Sequence, residues 1–301
     1  MNTKKNRLLK DQFSGYIYIL PWVIGFTGLT LIPFICLIYF SFTDYNLLGT
    51  PNWVGLKNYV TMFTADKKFF ESLKVTFTYV IISVPLKLTA ALMIAVLLTQ
   101  KRKGINLYRT LFYIPSIIGG SVAVAVMWKN LFSRDGAFNA IIEMITGTNP
   151  ELSWVADPRT ALGSLILMAV WQFGSPMLIF LAGLKNIPLS YYEAATVDGA
   201  NSIQRFFKIT LPLLTPIIFF NLVMQMINSF MVFTQGLVIT NGGPLNKTLF
   251  YQLYVYQRGF KSFDMGYASA LSCIMLLIVL VLTAFVFRSS DAWVYYESKG
   301  K

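Results

Sequence analysis

The residue types that usually carry enzymatic chemistry are nearly absent from this chain. It has no histidine and only two cysteines, Cys36 and Cys273, each inside a separate apolar run. No metal cluster and no nucleophile–base pair can be drawn from them. The stretch ITNGGPLNKT at 239–248 invites comparison with the phosphate-binding signature G-x-x-x-x-G-K-T, but Asn241 and Asn246 stand where both glycines belong and Pro244 interrupts it. It reads as a turn, and no enzyme is expected. What remains are polar groupings set in apolar surroundings. One is SYYEAATVDGANSIQRFFKITLP, Ser190 to Pro212, which carries Lys, Arg, Asp and Glu between two uncharged runs. A second is a set of carboxamides, Asn221, Gln225, Asn228 and Gln235, at offsets of 4, 7 and 14. On a helix turning about 100° per residue they fall in a stripe roughly 80° wide. Carboxamides that both donate and accept suit sugar hydroxyls, and interhelical hydrogen bonding is their alternative use. WQFGSP at 171–176 supplies another polar interruption with an aromatic face, and Pro176 should disturb the local helix.

The elements that must position these groups are membrane helices. Of 301 residues, 55% are apolar and only 13% charged, well outside the soluble range. Uncharged runs long enough to cross a bilayer core of about 30 Å occupy 16–42, 161–184, 211–239 and 265–287. Two weaker runs, 110–128, which is short, and 75–98, which contains Lys87, complete six spans. The expected fold is all-α, a polytopic membrane protein with a retained first helix and two buried thiols. Lys87 is the one intramembrane charge; it either snorkels or pairs with a backbone carbonyl beside Pro85, or it contacts an anionic substrate. All 13 acids fall outside the spans, which disfavours an ion-coupled secondary transporter or channel.

Orientation follows from the basic residues. Fourteen of 25 lie on the side that holds the N-terminus, the 99–109 loop, the 185–212 loop and the tail, with five acids; the other side has ten, with eight acids. The more positive side should be cytoplasmic, so residues 1–15, the 185–212 loop and the 289–301 tail are assigned there, around a transmembrane domain at 16–288. The net charge of +12 is spread over membrane-flanking loops and gathers in no soluble domain, so nucleic acid is not an expected partner.

Within the 185–212 loop, Ser190 and Glu193 have the S-x-x-E spacing of a capping box, and Gly199 suits the left-handed residue that ends a helix. A helix of about two turns is expected between them. Tyr191, Ala194, Ala195 and Asp198 then share one side, which the paired alanines leave shallow enough for another surface to approach. Ile203, Phe206 and Phe207 should form the apolar face of a second short helix, with Pro212 in the first turn of the next span.

Glu193-Ala194-Ala195, three residues, Gly199, nine residues, then Ile209-x-Leu211-Pro212 resembles the EAA loop of ABC importer permeases, the segment that docks into the ATPase subunit. WVGLKNYV at 53–60, YRTLFYIPSIIGGSVAVAVMWKNLF at 108–132, LAGLKNIP at 181–188 and ITNGGPLNKT are similar to the carbohydrate-uptake branch, on the side of the first permease of the maltose and glycerol-phosphate importers. The resemblance implies a heterodimer with a second permease, two ATPase subunits that hold the ATP and magnesium, and an extracytoplasmic sugar-binding protein. It implies no cofactor in this chain. It places sugar contacts in the fourth and fifth spans, where the matching residues are Gln172, Ser175, Gln225, Asn228 and Ser229.

The charge pattern predicts that a cysteine introduced at Lys101 or Lys103 is labelled only from the cytoplasm and one at Asn246 only from outside. Labelling of intact cells and inverted vesicles checks this, and reversed accessibility would put the EAA-like loop on the wrong side for any ATPase.

Overall fold

A computed structural model describes residues 16, 18–100 and 103–295; the expected basic N-terminus, Lys101, Arg102 and the end of the tail lie outside these. The described elements are helical, with a single isolated bridge between Thr43 and Trp53. Four helices are each long and apolar enough to cross a membrane: α1 (Tyr18–Ser41), α3 (Lys67–Leu97), α10 (Ser202–Phe230) and α12 (Met265–Trp293). Two bent pairs bring the spans to six: α4 (Ile105–Ile118) with α5 (Val122–Leu131), and α7 (Ala161–Trp171) with α8 (Gly174–Asn186). Shorter helices are α2 (Lys57–Thr64), α6 (Ala137–Thr146), α9 (Leu189–Val197) and α11 (Tyr251–Tyr256).

The chain divides into two compact units, one of residues 1–65 and 255–277, the other of 66–254 and 278–301. In the first, the side-chain amide of Asn58 donates to the carbonyls of Ser41 and Thr43 at 2.9 and 2.8 Å. It thereby satisfies acceptors left open where α1 ends, as a cap must. Trp53 stacks on Phe42 at 5.3 Å, and Arg258 lies over the Tyr267 ring while pairing with Asp264 at 2.8 Å. Cys36 is exposed on α1 and Cys273 half-buried on α12, so the thiols are free but not enclosed as expected. Both stand on apolar spans that are largely unburied within the chain, none of the apolar window of α1 and about a fifth of that of α12 being buried.

In the second unit α3 packs against α7, α8 and α10, and α8 also packs against α4 and α10. The Asp66 side chain accepts from the N–H of Phe69 and starts α3, which runs past its expected outer end. Phe69 and Tyr251, both fully buried, meet edge to face at 6.0 Å, and the Tyr251 N–H donates to Thr76. At Gly183 any Cβ would overlap Ile217, so α8 and α10 approach each other over a glycine. In the loop before α7, Arg159 donates to Asp157 and holds its carboxyl below the usual carboxylate range.

The third span differs from expectation: it is no continuous rod, because α4 and α5 meet at 100°. Gly119 and Gly120 end α4, and the Ser121 side chain accepts from the Val124 N–H to begin α5 in a new direction. The fourth span bends by 40° at Gln172–Phe173, three residues before Pro176, as the proline predicts. The two breaks are fastened to each other. Ser116 donates to the Gln172 carbonyl at 3.0 Å and accepts from the Ser175 N–H at 2.9 Å, while the Gln172 carboxamide donates to the Gly119 carbonyl at 3.3 Å. A Cβ at Gly119 would overlap the Gln172 side chain, and one at Gly174 would overlap the backbone of Phe112 and Tyr113.

A Cβ at Gly174 meets backbone that cannot rotate away, so Gly174→Val should destabilise the chain by about 1–3 kcal/mol through overpacking. Ser116→Ala, which orphans one carbonyl and one N–H, should cost about 1–3 kcal/mol without moving the helices. Thermal unfolding in detergent measures both, and crosslinking between cysteines on α4 and α8 should report separation in the glycine variant alone.

Candidate functional site: the loop 185–212 and the polar faces of α8 and α10

The short helix of the loop is α9. It begins at Leu189, with Pro188 as N-cap and no side-chain cap bond, so Ser190 and Glu193 do not form the expected capping box. Pro188 explains this: its fixed φ of −59° with ψ of 134° leads the chain straight into a helical turn. Ser190 is thus already inside the first turn, where its hydroxyl cannot reach an open N–H. The box occurs one element later. There Asn201 accepts from the Gln204 N–H, and the Gln204 side chain accepts from the Asn201 N–H, both at 2.9 Å. Asn201 and Gln204 have the N-x-x-Q spacing of such a box, eleven residues after the S-x-x-E pair.

Gly199 has φ +77°. Its N–H donates to the Thr196 carbonyl at 3.1 Å, and the Ala200 N–H reaches the Ala195 carbonyl at 2.9 Å. This paired 5→2 and 6→1 pattern is the Schellman closure, and a left-handed residue is required at its hinge. Asp198 is the C-cap. The reversal turns the chain back: Tyr192 hydrogen bonds Thr210 at 2.9 Å, and Arg205 donates to the Thr196 hydroxyl at 2.9 Å. Tyr191, Glu193, Ala194 and Asp198 stay exposed, with Ala195 half-buried. Tyr191 and Ala194 line a cavity of about 360 Å³ shared with Ile209 and Pro212 of α10 and with Tyr295. The Tyr295 N–H is fastened to Thr215 at 2.9 Å.

The expected second short helix is not separate: Ser202 to Phe230 is one helix, with a π-helical turn at Phe206–Thr210. The wider turn makes room for Pro212. The Leu211 N–H bonds back to the Phe206 carbonyl, and the backbone next to the proline ring shifts to the longer i→i−5 pattern. The same device precedes Pro33 in α1, where the Ile32 N–H bonds to the Thr27 carbonyl. Pro212 is in the first turn of the α-helical stretch Leu211–Phe230, as expected, and that stretch continues the helix begun at Ser202. Of the expected apolar face, Ile203 and Phe207 are exposed and Phe206 is half-buried. α9 is thus joined through residues 198–201 to one membrane-spanning helix that also carries Ile209 and Leu211.

The carboxamide stripe is shorter than expected. α10 ends at Phe230 and the chain breaks at Met231–Phe233, so Gln235 belongs to a later turn and leaves the stripe. Asn221 and Gln225 are buried against neighbouring helices, and the Asn221 carboxamide is fully enclosed with no hydrogen-bond partner. Both are withdrawn from the wet face that the spacing suggested. Asn228 remains exposed and Ser229 half-buried, in the last turn of α10. On α8 Ser175 is exposed, whereas the Gln172 side chain is engaged with Gly119. These two sets sit on helices that pack together, and no hydrogen bond joins them among the described residues. Ser116 and Gly119, which shape the α8 end of this region, were missed by sequence reasoning because their partners lie more than 50 residues away. Among the described residues no group of His, Cys, Asp or Glu could hold a metal ion.

The chain is 57% identical to YesP, a probable ABC transporter permease protein of Bacillus subtilis (strain 168), over 98% of this chain and 96% of that one. It is 33% identical to AmyD of Thermoanaerobacterium thermosulfurigenes, a probable permease for starch degradation products, over 93% and 94% of the two chains. It is 31% identical to the arabinooligosaccharide permease AraP of Bacillus subtilis (strain 168), over 93% and 89%. Its fold matches a chain of a bacterial ABC transporter for the acidic polysaccharide alginate, with TM-score 0.82, 23% identity and coverage of 95% and 98%. Residues 57–292, which contain the whole loop and both polar faces, match the family described as binding-protein-dependent transport system inner membrane component. The chain belongs to that family, as an ABC-type transport permease of the inner membrane.

Proposed function

We propose that this permease forms half of the path by which a sugar or oligosaccharide, delivered by an extracytoplasmic binding protein, enters the cell. The observation that carries this is the similarity along more than nine-tenths of the chain to permeases named for saccharides. A second, different permease would supply the other half, and two ATPase subunits, which bind the ATP and magnesium, would supply the energy. An ion-coupled transporter, a channel or a membrane scaffold is not favoured by the family. Both termini and the 185–212 loop face the cytoplasm by the charge pattern, and α9 is the segment offered to the ATPase. Its exposed Tyr191, Glu193, Ala194 and Asp198, its Schellman closure and its rigid continuation into α10 support that role. Exposed Asn228 and Ser175, with half-buried Ser229, are the substrate-path residues best supported by the geometry. Loss of oligosaccharide uptake on deletion, restored by the intact gene, tests the function as a whole.

Gly199→Val opposes the left-handed hinge and should tilt α9, costing at least about 1 kcal/mol locally and uncoupling ATP hydrolysis from transport. Glu193→Ala removes an exposed carboxylate that caps nothing, so it should leave the melting temperature unchanged while reducing transport. Normal transport by an assembled Gly199→Val complex would overturn the docking role. Asn228→Ala should weaken sugar-dependent transport by about 1–3 kcal/mol equivalent with assembly intact. Unchanged transport in a less stable complex would instead assign Asn228 to helix–helix bonding.

A further inference from the structure

A cavity of about 410 Å³ lies apart from both the loop 185–212 and the polar faces of α8 and α10, within the range of about 300–1,000 Å³ that small-molecule pockets occupy. Lys129 and Asn130 at the end of α5, Ser133 just after it, Ser153 and Val155 of the next loop, and Pro244 line it. The charge pattern puts these segments on the extracytoplasmic side. Val155 and Pro244 give it an apolar wall. Facing chemistry is polar: a primary ammonium, a carboxamide and two hydroxyls, which together both donate and accept.

The cation is available. Glu151 of the adjoining loop pairs with Arg134 and Asp157 with Arg159, whereas Lys129 forms no ion pair among the described residues. The Asn130 side chain likewise makes no hydrogen bond there, and Ser133 donates to the Asn130 carbonyl at 2.7 Å, leaving its oxygen free to accept. The walls are held in place before any ligand arrives. The Trp154 N–H bonds the Phe132 carbonyl at 3.0 Å, and its indole donates to Asn139 at 2.6 Å. Asn139 is buried and in turn donates to the Arg134 and Leu152 carbonyls. On the opposite side the Gly243 N–H bonds the Thr240 carbonyl at 2.9 Å.

An aliphatic wall facing a fan of donors and acceptors fits a sugar ring, whose two aspects are C–H and O–H. An ammonium without an ion-pair partner is surplus to a neutral sugar and suits a carboxylate, to which it forms a charge-assisted hydrogen bond. We propose that this cavity is an outer subsite for one carboxylate-bearing residue of an oligosaccharide, with Lys129 as the carboxylate partner and Asn130 and Ser153 as hydroxyl partners. The assignment rests on the sugar-importer function and deepens it by giving the substrate a charge.

The test uses the purified permease–ATPase complex without binding protein, carrying Cys36→Ala, Cys273→Ala and a reporter Ala156→Cys on the cavity's exposed wall. Alginate pentasaccharide should slow maleimide labelling of the reporter, and maltopentaose at the same concentration should not. Lys129→Met should raise the protecting concentration by about tenfold, as loss of a charge-assisted bond implies, and Lys129→Arg should restore most of it. No protection, equal protection by the neutral sugar, or protection that survives Lys129→Met would overturn the subsite. Uptake of oligosaccharides by cells lacking the chain is read separately. Its loss together with absent protection rejects the subsite alone, whereas unchanged uptake of every saccharide tested rejects the importer function and the subsite with it.

Discussion

A break in a membrane-embedded helix frees backbone donors and acceptors that hydrocarbon will not satisfy, so each must find a partner inside the protein. That constraint organises this structure around one small side chain. Ser116 uses its hydroxyl twice, donating to the Gln172 carbonyl and accepting from the Ser175 N–H, so the gap in the fourth span is closed by the third. The Gln172 carboxamide returns the favour at Gly119, where the third span turns. Each break thus supplies partners for backbone groups of the other. Both require the close approach that Gly119 and Gly174 allow, which is why two glycines and a serine, residues with little to bury, sit where the fold is most constrained.

A similar economy governs the polar loop. Its residues are not there to make a core, since most of α9 is exposed. They keep a two-turn helix in water at a fixed angle to the rod that follows. The Schellman closure at Gly199, the capping box at Asn201 and the bonds from Tyr192 and Arg205 leave the link few ways to flex. The π-turn before Pro212 lets the rod continue through a proline without losing its axis. In the proposed coupling role, a displacement imposed on α9 is carried by the one continuous helix from Ser202 to Phe230, whose far end holds Asn228 and Ser229.

Polarity within the spans separates into two kinds. Gln172 stitches helices together and Asn221 is enclosed, whereas Asn228 and Ser175 face outward from the packed helices. A sugar path needs the second kind, because hydroxyl-bearing substrates exchange partners with accessible side chains and cannot enter a sealed interface.

The sequence by itself determined the membrane character, the six apolar runs, the short loop helix ended by Gly199, the disturbance before Pro176 and the family. All of these depend on local composition, on spacing within one or two helical turns, or on a signature motif. Tertiary structure decided what depends on neighbours. The 100° turn at Gly119–Ser121 looks in sequence like an ordinary short apolar run, and one of the bonds that holds it comes from the distant Gln172. Helical spacing put four carboxamides on one stripe, but spacing carries no information about which side of a helix is already occupied. α10 packs against α3 and α8, Asn221 and Gln225 are buried, and the helix end at Phe230 removed Gln235. The capping box moved from Ser190 to Asn201 because two adjacent signals competed, and the backbone path set by Pro188 chose between them.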